Sequence, residues 1–228
     1  MLRKIILTSF LSLAVFCSVY AQVSNPYGLK VIDSRAEYLT SVALDSNNQL
    51  VEIVKHIPNV KLDIRYATTN NFAGVAVYDQ ARAFARVPVV LALRSVQSEL
   101  NKKGLGLKIF DAYRPYSVTV KFFEVADDKS FVASPKTGSR HNRGCAVDLT
   151  LINLKTGKEL KMPTPYDSFA PEASPGFQDL PKRVKINRDL LIQVMENNGF
   201  KVLHNEWWHF DYKDWNQYDL MDIPFNQL

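Results

Sequence analysis

Two segments hold reactive side chains at spacings that could do chemistry: Ser139-Arg140-His141-Asn142-Arg143-Gly144-Cys145-Ala146-Val147-Asp148 and Asn205-Glu206-Trp207-Trp208-His209. Two imidazoles and a carboxylate, His141, His209 and Asp148, form a three-ligand set that suits zinc and leaves a fourth position for water. His141 and Asp148 are seven positions apart, so no single helix or strand face brings them together. Gly144 must let the chain turn between them. Glu206 lies three residues before His209. A carboxylate beside a metal-bound water is the general base of a metallopeptidase. On a regular strand, residues i and i+3 face opposite sides. A site using both therefore requires a twist or bulge at Trp207-Trp208.

Arg114 adds a charge argument. A zinc ion, two neutral histidines, Asp148 and ionised Glu206 sum to zero. Attack on a carbonyl then develops negative charge that nothing so far offsets, and a fixed guanidinium would stabilise it. Asp111, three residues earlier, could orient Arg114 through a charge-assisted hydrogen bond. Taken singly, each residue has a plainer reading. A strand histidine is usually a satisfied core or surface group. Paired tryptophans usually pack, Tyr113-Arg114-Pro115 could be an ordinary turn, and Asp148 could pair with Arg143. The coincidence of histidine, carboxylate and arginine at strand ends is what favours a site.

The elements that must position these groups follow from pattern. Residues 22–50 read as a loose lead-in. Val51–Ile57 and Val60–Tyr66 read as strands broken at Pro58-Asn59. Pro88 suits the first turn of a helix, Leu91, Leu93, Val96 and Leu100 give it an apolar stripe, and Gly104 stops it. Leu107–Phe110 reads as a buried strand that delivers Asp111 and Arg114 at its exit. A helix over Tyr116–Ala126, a loop over Ser134–Arg143 and a strand over Cys145–Ile152 come next. Five prolines between 162 and 181 exclude regular structure there. Asn187 reads as the cap of a helix ending at Gly199, and Phe200–Tyr212 as a final strand. The mixture lacks a βαβ rhythm and predicts an α+β domain, a mostly antiparallel sheet flanked by helices.

Composition bounds the rest. The chain has 228 residues, 46% hydrophobic and 22% charged, enough to build a core without staples. Met1–Ala21 has a basic start at Arg3 and Lys4, an uncharged apolar run and a small residue at its end, which reads as a secretory signal. That leaves residues 22–228 as a single domain of an exported, periplasmic or secreted protein with no membrane span. The net charge of +5 loses two basic residues with the signal, and no dense basic run argues for a nucleic-acid partner. Cys17 and Cys145 are the only cysteines, and cleavage would leave Cys145 alone, so no internal disulfide is expected.

The pattern S-x-H-x-x-G-x-A-x-D at Ser139–Asp148, with E-W-W-H at Glu206–His209, resembles the D-alanyl-D-alanine dipeptidases of the vancomycin-resistance type. The likeness extends to Asp63–Tyr66 with Ala67-Thr68, Asn71-Phe72, Asp111–Pro115 and Pro165-Tyr166-Asp167, about residues 55–212. That zinc peptidase group includes D,D-carboxypeptidases and phage endolysins and shares a fold with the hedgehog signalling domain. The resemblance implies one zinc ion on His141, Asp148 and His209, with Glu206 as base and Arg114 as stabiliser of the intermediate. It implies that Tyr78, Asp111 and Ser139 line the substrate pocket and that Asp167 pairs with the substrate's ammonium. The expected partner is a small D-dipeptide or a peptidoglycan-derived peptide. Two alternatives remain: a peptidoglycan D,D-carboxypeptidase or endopeptidase with a more open cleft, and a zinc-stabilised cell-wall binding domain without turnover.

Overall fold

A computed structural model of the chain describes residues 26–228. In chain order the elements are β1 (Val31–Ile32), α1 (Arg35–Leu44), β2 (Leu50–Glu52), α2 (Ile53–His56), β3 (Lys61–Leu62), β4 (Phe84–Arg86), α3 (Val87–Asn101), β5 (Leu105–Asp111), α4 (Tyr116–Val125), β6 (Ala146–Asn153), α5 (Lys182–Asn197), β7 (Phe200–Leu203), β8 (Glu206–Tyr212) and β9 (Leu220–Met221). The central sheet runs β3-β5-β6-β8-β7, antiparallel except for the β3–β5 pair. This is the α+β architecture that the pattern predicts. No helix among the described residues is long and apolar enough to cross a membrane.

β6 is the centre of the sheet. Val147, Leu149 and Leu151 alternate with Asp148, Thr150 and Ile152, and all six are buried, so both faces of the strand are covered. The helices α3 and α5 pack on each other and on this sheet, with α3 against β5 and α5 against β7. Val89, Val90, Leu93, Val96 and Leu100 form the buried stripe of α3, whereas Leu91, expected in that stripe, faces outward and is exposed. Pro88 in its first turn and Gly104 just beyond its end, at φ 69°, bracket that helix as its sequence suggests. Two small ladders close the periphery. β1 pairs in parallel with β9, and β2 pairs antiparallel with β4.

Five sequence expectations need correction. The lead-in over 22–50 contains a ten-residue helix, α1, whose Ser34 hydroxyl accepts from the Glu37 amide at 3.3 Å. The Val51–Ile57 strand stops at Glu52, where the chain turns into α2. Val60–Tyr66 is a strand only over Lys61–Leu62. Asn187 caps nothing: α5 begins five residues earlier, and the buried Asn187 amide donates to the Lys161 carbonyl at 2.9 Å. The final strand is a hairpin, β7 and β8, turned at His204-Asn205. The expected distortion lies in that hairpin. Val202 pairs with Phe210 while the adjacent Leu203 pairs with Glu206, so Trp207, Trp208 and His209 loop out of register with β7.

Candidate active site

Strand register sets the first two metal-ligand candidates side by side. Asp148 on β6 lies directly opposite His209 on β8 and, across its other edge, opposite Asp111 on β5. A bulge at Phe110 on β5 allows that row to form. His141 arrives from the short 3-10 turn His141–Arg143 before β6. Gly144 ends that turn at φ 68°, and a Cβ there would meet Leu50 Cδ2 at 2.6 Å, so both backbone and packing call for glycine. Asn142 fastens the turn to the Arg114 segment. Its amide donates to the Arg114 carbonyl at 2.9 Å and to Thr119 Oγ1 at 2.8 Å, and its oxygen accepts from the Ser139 amide at 2.7 Å.

Three donor atoms then converge. His141 Nε2 lies 3.1 Å from His209 Nδ1 and 3.3 Å from Asp148 Oδ1, and His209 Nδ1 lies 3.0 Å from that same oxygen. A tetrahedral ion with nitrogen and oxygen ligands near 2 Å separates its donors by roughly 3.3 Å. The outer atoms are all committed elsewhere. His141 Nδ1 lies 2.6 Å from the Ala112 carbonyl, His209 Nε2 lies 3.0 Å from Asp211 Oδ1, and Tyr166 donates to Asp148 Oδ2 at 2.8 Å. Asp148 Oδ1 is buried with no hydrogen-bond partner. An orphaned carboxylate oxygen beside two imidazole nitrogens, each fixed from behind, fits a divalent ion.

Charge around the three donors agrees. Burial opposes a charge on His209, but the adjacent Asp148 and Asp211 carboxylates outweigh it and raise its pKa to about 10. Burial works against Asp148 too, yet the two imidazoles hold it well below the usual carboxylate range. Glu206 Oε2 stands 3.8 Å from His209 Nδ1, and burial raises its pKa, which suits a proton acceptor. The register shift over Trp207–His209 is what lets Glu206 and His209 share one site. Trp207 anchors the shift by donating to Thr164 Oγ1 at 2.9 Å.

Arg114 lines the same cavity, of about 200 Å³, together with Ser139, Asp167 and Glu206. Its Nε and Nη2 donate to Asp111 Oδ2 at 3.1 and 2.8 Å, and its guanidinium lies over the Phe122 and Tyr66 rings. Tyr78 donates to the other Asp111 oxygen at 2.8 Å. Tyr78 and Asp111 were expected to line the pocket. They stand behind Arg114 instead, because Asp111 spends both oxygens on Tyr78 and Arg114 and is only 1% exposed. Asp167 takes a left-handed backbone, φ 61°. It accepts from Tyr66 at 3.0 Å through Oδ1, and its buried Oδ2 has no partner. Burial and the nearby Asp148 push its pKa up to about 8.

Sequence reasoning missed Asp211, Tyr66 and Tyr166. Asp211 had a signal, since i+2 on a strand shares a face with His209. Both tyrosines stand in segments of the family likeness, but neither residue type by itself pointed to a role. Cys145 is fully buried, with burial pushing its thiol up to about 12, the inert behaviour of a core cysteine.

A three-donor cluster with a basic carboxylate at its edge and a clamped guanidinium across the cavity has the chemistry of a metal-dependent hydrolase. Comparison with known proteins narrows the class. A family profile described as D-Ala-D-Ala dipeptidase matches residues 46–226. The D-alanyl-D-alanine dipeptidase of Escherichia coli K12 is 31% identical over 183 residues, 80% of this chain and 94% of that protein. The protein of the same description from Enterococcus faecalis is 31% identical over 189 residues, 73% of this chain and 88% of that one. A solved LD-carboxypeptidase, LdcB, is 16% identical with a TM-score of 0.38, over 60% of this chain and 71% of that chain, a likeness too slight to bear on the site. The chain belongs to the D-Ala-D-Ala dipeptidase family.

Proposed function

We propose that the chain hydrolyses D-Ala-D-Ala or a similar short D-dipeptide, with one zinc ion held by His141, Asp148 and His209. The observation that carries this reading is the triangle of His141 Nε2, His209 Nδ1 and the partnerless Asp148 Oδ1, with Glu206 at its edge. When bound, zinc supplies Lewis acidity to the peptide carbonyl and to water. Glu206, made more basic by burial, takes the proton of the attacking water and returns it to the leaving amine. Arg114, held by Asp111, donates to the oxygen on which negative charge develops. Asp167 pairs with the substrate's ammonium. That pairing gives its unpartnered Oδ2 a donor, and an adjacent cation keeps ionised a carboxyl that burial otherwise protonates near neutral pH.

Asp167 also supports a dipeptidase over a carboxypeptidase or endopeptidase. A longer peptide brings an amide where the ammonium would sit, and leaves a desolvated carboxyl without its counter-ion. Purified protein is therefore expected to cleave D-Ala-D-Ala and to leave a muropeptide pentapeptide intact. Cleavage of the pentapeptide alone would reject the dipeptidase assignment. Glu206→Ala is expected to keep the ion and lose hydrolysis. A non-catalytic binding domain would show no difference between the two proteins.

The signal-like stretch Met1–Ala21 lies outside the described residues. It supports an exported enzyme acting on cell-wall peptides. N-terminal sequencing of the cell-produced protein should find a chain that starts after Ala21, and an intact Met1 in the cytoplasm would reject export.

A further inference from the structure

Beside the cavity lies a second one, of about 330 Å³, that shares Arg140, Leu203 and His204 with it. Its remaining wall includes Lys201, Asp211, Lys213 and Trp215. Strand register places it. Lys201 pairs directly with Asp211, and Asp211 is two residues past His209, so this rung lies on the same face of the sheet as the metal donors. Two residues of strand set the rungs about 7 Å apart. The groove therefore opens one residue's reach from the triangle of donors. It shares neither Asp167 nor Tyr66 with the cavity.

Its charge is unbalanced. Asp211, its one carboxylate, is held by His209 at 3.0 Å and faces Arg140 at 3.7 Å. Arg140 lies over the Trp215 ring at 4.8 Å, which fixes that guanidinium at the shared edge. Lys201 and Lys213 are exposed and make no ion pair among the described residues. The Lys213 stem folds over Gly199, with its Cδ 3.5 Å from where a Cβ there would stand. Two ammonium groups without counter-ions thus flank a groove that leads away from the reacting centre.

We propose that this groove is a subsite for an acidic leaving residue, so that the chain takes dipeptides whose C-terminal half carries a side-chain carboxylate beside its own. The inference rests on the dipeptidase reading, which sets the substrate's ammonium at Asp167; Arg140 lines the same cavity where it meets the groove, and the C-terminal half is assigned to that edge. The leaving residue's own carboxylate reaches Arg140, and the side-chain carboxylate reaches Lys201 and Lys213.

The test compares D-Ala-D-Glu with D-Ala-D-Gln, its uncharged isostere, and with D-Ala-D-Ala. Exposed charge pairs are individually weak, so kcat/KM for D-Ala-D-Glu should exceed that for D-Ala-D-Gln by roughly three- to tenfold at low salt and lose the margin at high salt. The Lys201→Ala/Lys213→Ala double variant should raise KM for D-Ala-D-Glu and leave D-Ala-D-Ala unchanged. Equal rates for the acidic and amide substrates, or an equal loss on all three in the variant, overturn the subsite. Calorimetric binding to the Glu206→Ala protein separates the two readings. Tighter binding of D-Ala-D-Glu than of D-Ala-D-Gln without hydrolysis of any dipeptide by the unaltered protein would sink the dipeptidase and keep the groove, whereas equal binding sinks the groove.

Discussion

At the scale of single residues, the site works by denying its reactive atoms any partner but the intended one. Each donor is pinned from behind: His141 by the Ala112 carbonyl, Asp148 by Tyr166, His209 by Asp211. Asp211 is the informative member, since it meets the candidate ligand His209 from behind and lies outside the triangle of donors. It fixes the His209 ring and keeps Nδ1 as the free nitrogen. Asp211→Asn should weaken metal affinity roughly 10- to 100-fold while the fold persists, read by metal-buffered titration. An unchanged affinity would remove Asp211 from the account. The convergence of His141, Asp148, His209, Glu206 and Arg114 on one cavity was legible in the sequence because histidine, glutamate and arginine at strand ends have few structural duties. Tyr78 and Asp111 were misplaced for the opposite reason. A Tyr–Asp–Arg chain runs from the interior to the cavity wall, which only Arg114 reaches, and no spacing shows which member faces the cavity.

At the scale of elements, irregularities do the positioning. The bulge at Phe110 brings Asp111 level with Asp148, and the slip over Trp207–His209 brings Glu206 to His209. The need for the second was visible from the i, i+3 spacing alone. Its form was not, because nothing in His204-Asn205 carries the glycine or proline that marks most tight turns. Helix α3 was legible because Pro88 and Gly104 bracket it, whereas Asn187 misled because a buried asparagine can bond a distant loop as readily as it caps a helix. The Ser34–Glu37 spacing is that of a capping pair and marks the start of α1 inside a stretch whose composition reads as loop. The turn before β6 offers a direct check. Gly144→Ala places a Cβ at φ 68° against Leu50, which costs about 1–2 kcal/mol from the left-handed backbone alone and more from the contact. Denaturant midpoints should fall accordingly, and an unshifted midpoint would mean that the turn relaxes freely.

At the scale of the whole molecule, peripheral ladders hold the site's scaffold. β4 pairs with β2, and its Phe84 carbonyl accepts from the Tyr113 amide at 2.7 Å, next to Arg114. Glu52 on β2 receives Arg82 through Nε at 2.8 Å and Nη2 at 2.9 Å, with Lys55 at 2.9 Å. The Arg82 hydrogen bonds lower the Glu52 pKa to about 2, against the opposing effect of burial. A carboxylate whose folded pKa lies below its unfolded value stabilises the fold above the unfolded pKa, near 4.5, and loses that contribution as pH falls toward 2. Screened by solvent, the pair contributes about 1 kcal/mol or less. Unfolding free energy in the unaltered protein should therefore drop by more than in Glu52→Gln between pH 5 and pH 3. Parallel pH curves for the two proteins would contradict the assignment.

The central claim is that His141, Asp148 and His209 hold one ion. Metal analysis of the purified protein, set beside His141→Ala and His209→Ala variants that remain folded by circular dichroism, tests it most directly. The account predicts one zinc per chain in the unaltered protein and loss of that zinc, with loss of D-Ala-D-Ala hydrolysis, in either variant. Full zinc content or undiminished hydrolysis in a folded variant would contradict it.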